Sequence, residues 1–168
     1  MSEPVRINAA RGAMNTTCIV VADAKRARFF SIEASDAPRY PLKLVEGSVL
    51  VSPDVEGARR NGAGRVKTER VSNRQAGPVH PVGAQRERHR LELERRFGRE
   101  IASQAEKITG AWTSGAVVLI AAPRLLGLMR EGLRDALHSG IELKELAKDY
   151  TSLSASELRD RLAIIRLV

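Results

Sequence analysis

Hydrophobic and polar positions along this chain group into eight predicted elements. Thr17 to Ala22 is a β-branched, apolar run; the polar stretch Asp23, Ala24, Lys25 and Arg26 follows, and apolar positions resume from Ala27 to Ile32. That pattern predicts two short strands joined by a turn. After the break SDAPRYP, the segment LKLVEGSVLV (42–51) reads as a third strand, with Gly47 marking a bulge or bend inside it. Residues 84–109 read as one long helix, because Leu93, Phe97, Ile101, Ala105 and Ile108 recur at helical spacing. Gly110 supplies its stop. The first turns of this helix, AQRERHR, lack the apolar stripe and are expected to project from the body. AVVLIAA (116–122) is a continuous apolar run, as in a central strand covered on both faces. Pro123 suits the first position of the next helix, whose buried face is Leu125, Leu126, Met129, Leu133 and Leu137, with Gly140 ending it. IELKELA (141–147) alternates like a half-buried strand, and Ser154 with Glu157 forms a capping box ahead of Leu158 and Leu162.

The order β-β-β-α-β-α-β-α predicts an α/β fold. Its second half alternates strand and helix, which demands crossover connections and at least partly parallel pairing. The expectation is a single domain at 16–168, with a mixed sheet of about five strands, three helices packed on it and a long basic loop before the first helix. A chain of 168 residues suits one domain. With aromatics at only 4%, the core must rest on Val, Ile, Leu and Ala. No run approaches the roughly 18 apolar residues of a membrane span. Residues 1–15 contain no apolar stretch that would serve as a signal-peptide core, and read as a disordered leader. Arg6 and Arg11 leave an organelle-targeting reading open. The lone Cys18 has no internal partner and lies in an apolar strand pattern, as a buried, inert thiol would. Together these features place the protein in the cytoplasm.

Charge changes this picture. Residues 59–99 hold twelve Lys or Arg against four Glu, a net +8 that equals the formal net charge of the whole chain. Between Ser52 and Gly83 lie five Gly, three Pro and several Arg, without an aromatic residue, Leu, Ile or Met. Such a stretch cannot bury enough apolar surface to offset its ordering entropy, so 52–83 is expected to be a flexible loop. Clustered arginines bind phosphates through bidentate hydrogen bonds and counterion release. The candidate RNA contacts are therefore Arg59, Arg60, Arg65, Lys67, Arg70, Arg74, Arg86, Arg88 and Arg90. No Phe, Tyr or Trp lies between 41 and 96, which argues against a stacking platform for single strands. A solvated loop whose charge aids solubility is the alternative. An anionic membrane surface is a weaker one, since no apolar face accompanies the charge.

Four segments in this order and spacing resemble the bacterial host-attachment protein family: the hairpin VVADAKRARFF, the helix around ERRFGREIA, the junction VVLIAAPRLLGLMRE, and the closing DYTSLSASELRDRL. The resemblance runs from about Thr17 to Leu162. The family is in turn distantly similar to the middle domain of the peptide release factor of eukaryotes and archaea, which also has a hairpin, then a flexible loop running into a long basic helix. In those factors a Gly-Gly-Gln tripeptide near the loop–helix junction enters the ribosomal peptidyl-transferase centre. The equivalent place here reads Gly83-Ala84-Gln85, which makes these three the loop-tip candidates. Ala84 departs from the pattern, because a Cβ restricts backbone conformations that Gly allows. A plain helix-start turn beside a coincidental Gln is the alternative.

Other chemistry is thin. His80, His89 and His138 fall in three different contexts and do not have metal-ligand spacing; His138 is expected to meet helix C-terminal carbonyls. The nucleophile elbow, the phosphate loop and the dinucleotide fingerprint are missing, so no catalytic, cofactor or metal set is predicted and no cofactor is expected. Asp23, Lys25 and Arg26 form either a contact site or an ordinary turn. Arg124, just inside a helix start, either helps to bind an anion or is a plain surface Arg. Two function classes follow. One is a non-enzymatic RNA- or ribosome-associated module; the other acts through a protein partner, as an indirect regulatory factor in host attachment. A weaker third, implied by the release-factor resemblance, is a peptidyl-tRNA hydrolase in which Gln85 positions water.

Overall fold

The computed structural model describes residues 16–36, 42–53 and 82–164. The predicted leader and nearly all of the predicted basic loop lie outside the described residues. The eight predicted elements are all present: β1 (Thr17–Ala22), β2 (Arg26–Ala34), β3 (Leu42–Val51), α1 (Val82–Thr109), β4 (Gly115–Ala121), α2 (Pro123–Ala136), β5 (Ile141–Ala147) and α3 (Ala155–Ile164). The strands form one mixed sheet in the order β3-β2-β1-β4-β5. β1 runs antiparallel to β2 and parallel to β4, β2 runs antiparallel to β3, and β4 runs parallel to β5.

Period-two alternation divides the core between the two faces. Cys18, Val20, Ala22, Phe29, Val117, Leu119 and Ala121 point to one side, where they meet Phe97, Ile101 and Ala105 of α1 and Leu125, Leu126, Met129 and Leu133 of α2. Ile19, Val21, Phe30, Val118 and Ile120 point to the other, where Leu158 and Leu162 of α3 cover them. This two-sided cover explains why β1 and β4 are continuous apolar runs rather than alternating ones. At about 1.5–3 kcal/mol for each large buried side chain, these central strands are the energetic middle of the fold.

Gly47 does sit at a bulge. Arg28 opposes Val49 and Phe30 opposes Glu46, so β3 carries one residue more than β2 across this step, opposite Phe29. Gln104 Nε2 of α1 donates to Ser48 Oγ at 2.9 Å, which ties the long helix to the bulged strand. Close backbone approach constrains two other glycines. Gly115 N donates to Gly140 O at 3.1 Å. A Cβ on Gly115 would strike the Thr16 carbonyl oxygen, and one on Gly140 would strike that of Thr113.

Two details differ from the sequence reading. α1 begins at Val82, two residues before the predicted start. Its buried stripe runs through Glu94, Phe97, Ile101 and Ala105, while Leu93 sits half-buried at the margin. The capping box is formed as predicted: Glu157 N donates to Ser154 Oγ at 3.3 Å, and Ser154 N donates to Glu157 Oε2 at 2.9 Å.

Candidate nucleic-acid interface

The geometry of the charged surface follows from a mismatch of lengths. The 28-residue α1 is about 42 Å long, whereas the seven-residue β4 into which it leads spans about 23 Å. Thr109 leads within a few residues into β4, so the end of α1 is fixed beside the start of that strand. The surplus, roughly 19 Å of helix, must run past the carboxyl ends of β1 and β4. Burial agrees with this: residues 83–90 are all exposed, and full burial begins at Glu94. The predicted projecting helix start is therefore a stalk.

Gly83, Ala84 and Gln85 lie in the first turn of α1 and are exposed, with open space around Gly83. They stand at the start of the helix rather than in a loop that precedes it. Arg86, Arg88 and Arg90 follow on the stalk, all exposed. The other candidates, Arg59, Arg60, Arg65, Lys67, Arg70 and Arg74, lie outside the described residues, as does His80. Arg90 is engaged locally, with Nη2 2.6 Å from Glu87 Oε1 and Nε 3.9 Å from Glu94.

A clasp holds the base of the stalk. Arg124, immediately after β4, reaches Glu87 and Glu94 at 3.2 Å each. The Glu94 side chain is only 7% exposed, and its Oε2 has no hydrogen bond among the described residues. Burying a carboxylate costs free energy unless a cation offsets it, and the guanidinium of Arg124 does so here. Arg124 is therefore committed to two carboxylates of α1 and is not left to bind an anion at the start of α2. The sequence signal for Glu94 was present, since it lies three residues before Phe97 on the same helical face. A carboxylate at a core position calls for a cation nearby.

The β1–β2 hairpin turn is explained by its own structure. Asp23 Oδ1 accepts hydrogen bonds from the backbone N–H groups of Lys25 and Arg26 at 2.6 and 2.8 Å, as an Asx turn does. Arg26 Nη2 donates to the Thr151 carbonyl at 2.8 Å. Arg28 donates to both carboxylate oxygens of Glu46 at 2.8 Å, donates to the Leu153 carbonyl at 2.7 Å, and stacks 4.8 Å from the Phe30 ring centroid. These two arginines bind the segment leading into α3 to the sheet. The hydrogen bonds from Arg28 hold the Glu46 carboxyl below its ordinary range. Arg130 does the same to Glu145, and the Thr151 hydroxyl does so to Asp149.

The other candidates for chemistry are structural. His138 Nδ1 accepts the Gly140 N–H at 3.1 Å in the turn after α2. The ring therefore organises the turn as an acceptor and does not donate to helix carbonyls as expected. Burial pushes the Cys18 thiol up to about 12, so it stays protonated and unreactive in the fold. Among the described residues no group of three His, Cys, Asp or Glu is placed to hold a metal ion. No helix among them is long and apolar enough to cross a membrane.

The outer face of α1 adds residues that the sequence reading counted as charge but did not place in the site. Arg95, Arg96 and Arg99 are 57%, 63% and 65% exposed on the part of α1 packed against the sheet. Their position five to nine residues beyond Arg90, on the polar side of the apolar stripe, was the available signal.

Fold and surface together define a mixed α/β protein whose long crossover helix carries exposed arginines both on its stalk and along the outer face of its packed part. A family model described as "Protein required for attachment to host cells" matches residues 18–162, from β1 into α3. The chain belongs to that family. Comparison with curated proteins finds no match.

Proposed function

We propose that this host-attachment-family protein is a non-enzymatic, cytoplasmic module that associates with RNA or the ribosome through its basic segment. The observation that carries the reading is the stalk: an exposed helix start that presents Arg86 and Arg88 to solvent and follows, in sequence, the stretch holding Arg59 to Arg74. All of the excess positive charge of the chain falls between residues 59 and 99, where it lowers the free energy of phosphate binding by releasing counterions. The arrangement of a hairpin, a basic stretch and then a long helix supports an analogy with the release-factor middle domain, with Gly83, Ala84 and Gln85 at the contact end.

The family description favours a second reading, in which a protein partner is bound and attachment is affected indirectly. Cosedimentation of the purified protein with ribosomes and with bulk RNA across a salt titration separates the two. Binding that falls steeply with salt on both supports charge-driven RNA association. Ribosome binding that survives salt and depends on Gln85 supports the release-factor analogy. Absence of binding at low salt moves the function to the protein partner.

A further inference from the structure

The outer face of α1 continues the stalk's charge along the body of the protein. Arg88, Arg95 and Arg99 are separated by seven and four residues. At 3.6 residues per turn these steps bring the three side chains within an arc of about 40° on the helix, over a length of about 16 Å. Arg88, like the Arg95 and Arg99 side chains, is exposed. The acids along this row hold them only loosely: Arg95 and Arg99 each stand 3.9 Å from Glu92, and Arg96 stands 3.5 Å from Glu100. Exposed pairs of this kind contribute a few tenths of a kcal/mol, so an incoming phosphate displaces them at little cost. Phe97, the one Phe, Tyr or Trp of α1, is buried in the core on the opposite side, and the His89 imidazole lies about 100° round the helix from Arg88. The outer face thus offers guanidinium groups at fixed spacing and no Phe, Tyr or Trp on which a base can stack.

We infer that this stripe binds the backbone of double-stranded, A-form RNA, an inference that rests on the RNA reading above. A straight row of cations on a packed helix is complementary to a row of phosphates that is itself held in place. A duplex supplies that row already ordered, whereas a flexible single strand must first be ordered along the helix with no Phe, Tyr or Trp platform to offset that cost. An α-helix does not enter the deep, narrow major groove of A-form RNA, so α1 lies across the shallow minor groove and contacts phosphates and 2′-hydroxyls by shape. Arg88 joins the stripe to the stalk, which makes the stripe an extension of the same surface. Recognition is independent of sequence, because no side chain on the face is placed to read a base edge.

The test uses fluorescence anisotropy of the full chain with a short RNA duplex and with either of its separated strands, each over a salt series. Arg95→Gln/Arg99→Gln is compared with Lys43→Gln/Arg161→Gln, which removes equal charge elsewhere. Gln keeps helix propensity close to that of Arg, and circular dichroism checks that each variant is folded. The expected result is preference for the duplex. For the Arg95/Arg99 variant, the slope of log affinity against log salt falls by about two, while the control pair leaves it unchanged. A single strand bound as tightly as the duplex, or equal slope losses in the two variants, overturns the inference. RNA binding with an undiminished slope in the Arg95/Arg99 variant overturns the stripe alone. Absence of RNA binding in the unaltered protein overturns the RNA reading and the stripe together.

Discussion

If α1 is divided into a packed half and a stalk, a core substitution in one and a surface substitution in the other must differ sharply in cost. Ile101 is fully buried between the sheet and α2. Ile101→Ala removes the equivalent of about three methylene groups, roughly 2.4 kcal/mol of transfer free energy at about 0.8 kcal/mol each. The unfilled space adds more, which places the total at about 2–5 kcal/mol. Arg88 is exposed on the stalk, and Arg88→Ala should change stability by less than about 0.5 kcal/mol. The single tryptophan, Trp112, packs half-buried against the same core cluster, so its fluorescence reports unfolding in urea. With a slope of about 2 kcal/mol/M, Ile101→Ala should lower the midpoint by about 1–2 M with the slope unchanged. It should also lower Tm by about 5–15 °C. A loss below about 1 kcal/mol for Ile101→Ala, or a comparable loss for Arg88→Ala, would refute the division of the helix.

The lowered carboxyls of Glu46 and Glu145 make a signed pH prediction. Their contribution is fully present above the ordinary glutamate value of 4.5 and is lost as pH falls through their lower folded values. Glu46→Gln and Glu145→Gln should each flatten the loss of stability in acid, measured as urea midpoints at successive pH values below neutral. Gly140→Ala drives a methyl group into the Thr113 carbonyl and should cost about 1–3 kcal/mol, whereas Gly83→Ala, in open space, should not reduce the urea midpoint. Cys18 should resist iodoacetamide at mildly alkaline pH in the folded protein and react readily in urea, because burial both shields it and holds the thiol protonated; equal rates in the two states would contradict its placement.

What was legible in the sequence was local. The β1–β2 hairpin, the α3 capping box and the bulge at Gly47 each depend on residues a few positions apart, and each stands where the pattern put it. The continuous apolar run of β4 marked it as a strand covered on both faces, and the structure adds β1, which helices enclose in the same way. The sheet order was not legible, because apolar runs of similar composition do not specify which of them pair. Arg124 was readable only as a cation at a helix start. Its role depends on Glu94, thirty residues earlier, which the fold brings to the end of β4. His138 was assigned a donor's role from its place near the end of a helix, while the tight crossing of Gly115 and Gly140 uses it as an acceptor. For the candidate interface, the charge count pointed to the helix α1 and the stretch before it. Helical geometry then divided that helix into stalk and body, and added Arg95, Arg96 and Arg99.

The most direct measurement of the central claim is cosedimentation of the intact protein with ribosomes and bulk RNA as salt is raised, with an Arg86→Gln/Arg88→Gln variant alongside. The expected result is association at low salt that weakens steeply as salt rises, with a slope shallower by about two in the variant. Absence of association at low salt, or association indifferent to both salt and the two arginines, would contradict it.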